Sequence, residues 1–196
     1  MAPFRESIKK IAQSLETCDE WLEMVRDLNE PIVIEKPTPE FRMRWAEKSD
    51  LFAINALEGF VNETDFMEVS LAKGDRCLIL ERDDGICAFA WVTFRDYGLA
   101  LWYTLHLPPG WSYLVYIHVR PEYGRQGVGS YLLSTVMASL RDLGCSRLVS
   151  GMYSNWEVSI RLHAKVGFRV QRRLTQCRIL NIFPYPPKME DMSGGE

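Results

Sequence analysis

The stretch Val119-Arg120-Pro121-Glu122-Tyr123-Gly124-Arg125-Gln126-Gly127-Val128-Gly129-Ser130 joins an apolar run to a long amphipathic one. Upstream, Tyr113 to Val119 is rich in β-branched and aromatic residues, as a buried strand requires. Downstream, Val128, Leu132, Leu133, Val136, Met137, Leu140 and Leu143 recur at helical spacing, and Gly144 supplies a C-terminal stop. The twelve residues therefore turn a strand through glycines directly into a helix. Such a turn leaves backbone N–H groups without helical acceptors at the positive end of the helix dipole, a natural seat for phosphate.

The glycine order narrows the ligand. Gly124, Gly127 and Gly129 spell G-x-x-G-x-G, the reverse of the dinucleotide fingerprint, and no Gly-Lys-Ser/Thr follows to make a P-loop. Taken alone, the glycines are equally compatible with a tight turn that holds no ligand.

Two further stretches decide between these readings. Ser159-Ile160-Arg161-Leu162-His163-Ala164-Lys165-Val166-Gly167-Phe168 follows at an interval of one helix and one strand, and Arg42-Met43-Arg44-Trp45-Ala46-Glu47-Lys48-Ser49-Asp50 precedes as a short strand and turn. Together with Val119 to Gly129, they resemble the second motif, opening strand and motif A of the GNAT superfamily, the acyl-CoA-dependent N-acyltransferases. The resemblance runs from about Phe41 to Asn181. It implies an α/β (α+β) fold: a mixed, mostly antiparallel central sheet, splayed at the acyl-CoA site, with helices on both faces.

Composition suits an ordinary soluble domain. The chain has 196 residues, 47% hydrophobic and 25% charged, enough for one core. A net charge of −3 gives no global nucleic-acid footprint, and the late cluster Arg169, Arg172, Arg173 and Arg178 reads as a solvated strand face. Five cysteines, Cys18, Cys77, Cys87, Cys145 and Cys177, have no C-x-x-C spacing and are odd in number. They read as reduced core thiols of a cytoplasmic protein, and three scattered histidines suggest no metal. Tyr97 to Val119 carries no Asp, Glu, Lys or Arg, long enough to span a bilayer. Pro108-Pro109-Gly110 interrupts it, so two buried strands joined by a turn are expected instead of a membrane helix. The N-terminus carries no apolar signal core.

Elsewhere, Ile8, Ile11, Leu15, Leu22, Val25 and Leu28 fall near helical spacing and predict a long helix from Arg5 to Asn29, stopped by Pro31. Residues 1–36 are thus expected to form a helical extension, docked on the core or serving as a lid or a homodimer contact. Residues 37–183 form the acyltransferase domain, and a proline-, acid- and glycine-rich tail at 184–196 is expected to be disordered. Asp50 to Ala72 reads as one or two helices around Gly59, Arg76 to Arg95 as a hairpin turning at Asp83-Asp84-Gly85, and Ser146 to Met152 and Gln171 to Ile182 as strands.

Acyl transfer to an amine sets the chemistry. An amine with a lysine-like pKa of about 10.4 is neutral in only about one molecule in two thousand at pH 7, so a base, or water, must take its proton. The thioester carbonyl needs a hydrogen-bond donor, and the departing CoA thiolate needs a proton. By resemblance, Ile117, His118 and Val119 lie along the thioester and pantetheine of acetyl-CoA, and the amides of Gly124, Arg125, Gln126, Gly127, Val128, Gly129 and Ser130 hold its pyrophosphate. The family's pattern opens on Arg or Gln where this chain has Gly124. Where the family places a tyrosine as general acid, this chain has His163, and an imidazolium can do the same task. Ser154-x-x-Glu157 makes a capping box for that helix, and Asn155, Ser159 and His163 form a polar stripe beside the apolar Val158, Leu162 and Val166. Asn155 and Ser159 are candidates for pantetheine contacts, although Trp156 stands where the family's asparagine usually does. Candidates for the base are His118 and Tyr116, on one face of their strand opposite Ile117 and Val119, and Glu58. The acceptor is a primary amine, of a small molecule or of a protein, attacked directly in a ternary complex. A longer acyl chain, or a CoA-binding module without turnover, are the competing readings. Trp91, Trp102, Tyr103, Trp111, Tyr113 and Trp156 make the centre aromatic, suiting an amine with an apolar or aromatic body over a polyanion.

Overall fold

The computed structural model describes residues 16–38, 40–57, 64–100, 103–179 and 183–192. Its strands are β1 (Glu16–Asp27), β2 (Arg42–Trp45), β3 (Arg76–Arg82), β4 (Gly85–Thr93), β5 (Tyr97–Ala100), β6 (Tyr103–Leu105), β7 (Trp111–Val119), β8 (Arg147–Tyr153), β9 (Arg169–Ile179), β10 (Phe183–Pro184) and β11 (Lys188–Asp191). The helices are α1 (Leu51–Asn55), α2 (Thr64–Ala72), α3 (Val128–Asp142) and α4 (Glu157–Lys165). Nine strands form one sheet in the order β10-β9-β1-β8-β7-β4-β3-β2, with β11 also on β9, and every pairing is antiparallel except β7 with β8. This is the mixed, mostly antiparallel sheet expected.

Each face has its own cover. On one, α3 and α4 bury Leu22, Met24, Leu78, Leu80, Ala88, Ala90, Leu114 and Leu148 beneath Leu132, Leu133, Val136 and Met137. On the other, Leu51 and Ile54 of α1 and Met67 of α2 close over Cys77, Ile79, Phe89 and Trp91 of β3 and β4. The same face over β7 and β8 is covered by the β5–β6 hairpin, with Leu105 against Tyr113 and Val149. The uncharged run from Tyr97 to Val119 thus splits into this separate hairpin and β7, and among the described residues no helix is long and apolar enough to cross a membrane.

Several expectations are corrected. Residues 16–27 are a strand, not the end of a long helix, and β1 lies between β8 and β9 in the middle of the sheet. Pairing on both edges overrides local preference. The helical spacing was misleading because β1 is covered on both faces: Leu22 and Met24 enter the core, while the charged Glu23 and Arg26 are buried as well, which blurs the two-residue alternation. Residues 1–15 of the expected helix lie outside the described residues. In the tail, Lys188–Asp191 is not disordered but pairs with Arg172 to Thr175 of β9. Cys18 and Cys177, directly opposite across β1 and β9, form a disulfide, whereas Cys77, Cys87 and Cys145 are buried free thiols. The arginine cluster on β9 is a ladder of ion pairs: Arg178 with Asp19, Arg173 with Glu20 (3.7 Å), Arg172 with Glu23 (3.4 Å), and Arg169 with Glu30 (3.2 Å).

Met24, 2% exposed beneath α3 and α4, tests whether β1 is core. Met24→Ala is expected to cost about 2–5 kcal/mol, read as a lower urea midpoint. An unchanged midpoint would place β1 outside the core.

Candidate active site

Two local events open the sheet. Parallel pairing of β7 with β8 ends at Leu114 and Ser150, although both strands continue. At the same point β7 carries a bulge against β4: Val92 pairs with Leu114 and Trp91 with Tyr116, leaving Val115 extra. A bulge bends and twists its strand, so β7 swings away from β8 while staying on β4. From Val115 to Val119, the edge of β7 that faces β8 has no strand partner among the described residues.

Register fixes which groups face that opening. The N–H of Arg120 donates to Cys87 C=O on β4 at 2.9 Å. Alternation along the strand therefore turns the N–H and C=O of Ile117 and Val119 toward the opening, and those of His118 toward β4. Ile117 also packs against the α3–α4 core, while Tyr116 contacts the Phe66 ring of α2 (centroids 5.7 Å) on the other face.

Between the diverging strands lies a cavity of about 410 Å³. β7 contributes Tyr113 to Ile117, β8 contributes Ser150 to Tyr153, and β1 contributes Trp21. The hairpin adds Tyr97, Gly98 and Leu99, and the start of α4 adds Trp156, Ser159 and His163. Hairpin and sheet meet closely at Gly151: a Cβ there would lie 2.6 Å from Leu99 Cδ2 and 3.0 Å from the Tyr113 hydroxyl, so those side chains would have to shift.

His163 is the titratable group of α4 in this cavity. It is 1% exposed, and its ring meets Phe168 edge-on at 4.9 Å. Nδ1 lies 2.8 Å from the Ser159 carbonyl, which can only accept, so Nδ1 carries the proton. In the neutral ring the lone pair is then on Nε2, which is buried and has no hydrogen-bond partner among the described residues. Burial pushes the pKa below the ordinary 6.5, against a smaller upward pull from the Ser159 carbonyl. Where the sequence suggested an imidazolium as general acid, burial favours a neutral imidazole with an open acceptor.

The glycine turn lies beyond the end of β7. Pro121–Tyr123 makes one 3-10 turn, Arg125 has φ +60°, and Gly127 has φ +81° as the N-cap of α3. Left-handed residues alternating with ordinary ones turn successive N–H groups to one side, an anion-binding nest. No side chain caps α3, and its first backbone bond runs from Tyr131 N–H to Gly127 C=O at 2.9 Å. The amides ahead of it have no helical acceptor. Gly129 lets α3 approach Leu162 of α4, 3.3 Å from the position a Cβ would take. The exposed Gln126 side chain folds back along the turn, its Nε2 donating to Glu122 C=O at 2.8 Å.

The structure does not bring together every sequence candidate. Tyr116, Ile117, Ser159 and His163 line the cavity. His118 does not: it packs on Phe89 (centroids 5.7 Å) toward the α1–α2 side. Asn155 precedes α4 and is exposed, Trp156 is the N-cap in place of the expected Ser154–Glu157 box, and Glu58 lies outside the described residues. Trp21, Tyr97 and Tyr153 were missed, because β1 was read as a helix and their meeting depends on cross-strand register.

The low pKa of His163 has a stability consequence. As pH falls through about 6.5 the unfolded chain takes up the proton first, so stability falls with pH. The wild type is expected to lose stability relative to His163→Gln between pH 7.5 and 5.5, measured by urea unfolding at each pH. A constant difference would mean that His163 is not buried neutral.

A family model described as the Acetyltransferase (GNAT) family matches residues 21–168. The L-amino acid N-acyltransferase MnaT of Escherichia coli (strain K12) is 33% identical over 60 residues, 31% of this chain and 35% of that protein. A GCN5-related N-acetyltransferase from Sphaerobacter thermophilus superposes with TM-score 0.64 at 15% identity, over 90% of this chain and 56% of that one. The ribosomal-protein-S18-alanine N-acetyltransferase from Escherichia coli gives 0.56 at 17% identity, over 71% of this chain and 94% of that one. The chain spans about a third of the length of MnaT and just over half of the Sphaerobacter protein. With the family model covering most of the chain, from β1 to the end of the α4 turn, this protein belongs to the Acetyltransferase (GNAT) family.

Proposed function

We propose that this chain transfers an acetyl group from acetyl-CoA to a primary amine by direct attack in a ternary complex. The observation that carries the reading is the pairing, in one cavity, of an open backbone edge at Ile117 with a buried histidine whose Nε2 is unpartnered. The family's use of acyl-CoA supplies the donor class, and the likeness to MnaT, an L-amino acid N-acyltransferase, favours an amine acceptor.

In this reading the amides of Arg125 to Ser130 bind the pyrophosphate, at the uncapped start of α3. The pantetheine runs along the open edge of β7 past Ile117 and Val119, with Ser159 on the α4 side. The Ile117 N–H donates to the thioester oxygen as negative charge develops there. The amine attacks in its neutral form, its ammonium proton having been released to solvent. As its nitrogen forms the new bond to the carbonyl carbon, the N–H proton passes to His163 Nε2, directly or through water. As the C–S bond breaks, the same proton goes to the departing thiolate. A histidine whose pKa is lowered by burial can take the proton on Nε2 and give it up again, so it acts as a relay and not as a resting acid. Tyr116, across the cavity, contacts the acceptor side, and no cysteine nucleophile is required.

Thiol release from acetyl-CoA across a panel of primary amines tests the reading. His163→Gln is expected to lower kcat by about 10²–10⁴ while CoA affinity stays within a few-fold. Unchanged turnover would remove His163 from the chemistry. Saturating CoA at about 100 times Kd is expected to raise Tm by roughly 5–10 °C. No shift would overturn the CoA reading, and a shift without thiol release for any amine would favour a binding module. Faster release from a longer acyl-CoA would move the donor class.

A further inference from the structure

Trp21, Tyr153 and Trp156 form a continuous aromatic ladder at the cavity. The Trp21 and Tyr153 rings lie 4.7 Å apart, and the Tyr153 and Trp156 rings 5.3 Å apart. Tyr153 is 36% exposed and Trp156 55% exposed, so these rings are not spent on the core. All three nevertheless line the cavity that holds His163 and Ile117. Trp21 stands directly across from Tyr153 in the β1–β8 register, on the face of β1 opposite Leu22 and Met24. That face is the hairpin side of the sheet, away from α3, whose N-terminus holds the donor's phosphates in the reading above. Deeper in, Tyr97 stacks on Tyr113 at 4.6 Å, so the hairpin wall is aromatic too.

Flat rings at one end and a neutral base at the other define a substrate shape. An aromatic ring is held by offset or edge contacts with such a ladder, and an approaching ammonium is attracted to the same ring faces before it gives up its proton. Among the described residues that line this cavity there is no Lys or Arg to hold a carboxylate, and no Asp or Glu to hold a second ammonium. Resting on the acyl-transfer reading, we infer that the acceptor is an arylalkyl primary amine without a carboxylate: its ring lies against Trp21 and Tyr153, and its amine reaches the space between His163 Nε2 and Ile117.

The test compares 2-phenylethylamine, n-butylamine, putrescine and L-phenylalanine as acceptors in the thiol-release assay, with wild type, Trp21→Ala and Trp21→Phe. The wild type is expected to favour 2-phenylethylamine by at least tenfold in kcat/KM over each of the other three. Trp21→Ala is expected to raise the KM for 2-phenylethylamine tenfold or more and to collapse its preference over n-butylamine, while Trp21→Phe, which keeps a ring face, retains most of it. Equal use of n-butylamine, or a preference for putrescine or L-phenylalanine, would overturn the inference while leaving acyl transfer intact. A Trp21→Ala defect confined to the KM for acetyl-CoA would assign the ladder to the donor and overturn it as well. Absence of thiol release with every amine would instead defeat the acyl-transfer reading itself.

Discussion

The separation of β7 from β8 after Leu114 and Ser150 is the constraint on which the site depends. A bulge at Val115 bends β7 away, while continued pairing with β4 on one side, and of β8 with β1 on the other, keeps both strands extended. A sheet that simply ended there would leave loops. Here two rigid strands instead hold open an edge of backbone groups, and the cavity is the space between them. Backbone donors fixed by a ladder on their far side do not need to reorganise as charge develops, which is the condition for strong electrostatic catalysis.

The rest of the structure serves that opening. α3 and α4 pack on one face and present an uncapped helix start and His163 to it; the β5–β6 hairpin and α1–α2 close the other. β1 keeps β8 extended as it diverges, since it stays paired with the edge of β8 that faces away from β7. It is in turn tied to β9 by the Cys18–Cys177 disulfide and the arginine ladder. Glu23 of β1 illustrates the cost of this placement. Burial raises its pKa, the Arg172 guanidinium and the Tyr103 hydroxyl pull it back, and the Tyr103 contact joins the hairpin to the sheet while the Arg172 contact joins β1 to β9.

What the sequence disclosed follows from how local each determinant is. The turn from Val119 to Ser130 was legible because its requirement, a left-handed residue at Gly127 before a helix, is met by residues adjacent in the chain. The β3–β4 hairpin was legible for the same reason, through Asp83-Asp84-Gly85. β1 was not, because its burial of Glu23 and Arg26 makes sense only with Arg172 from β9, far away in sequence, and with Glu30 beyond the strand's end. The disulfide spans 159 residues and has no spacing to read. His163 was singled out by motif, but its burial against Phe168 was not legible, because that depends on how α4 packs.

The central claim, that two sets of backbone amides freed by the fold hold the acyl donor, is tested most directly by titrating acetyl-CoA into 15N-labelled protein and following amide resonances. The account predicts the largest shifts at Ile117, Val119 and Gly127 to Ser130, with little change at Arg120, whose amide is engaged with Cys87. Saturable binding that leaves Ile117 and Gly127 to Ser130 unmoved would contradict it.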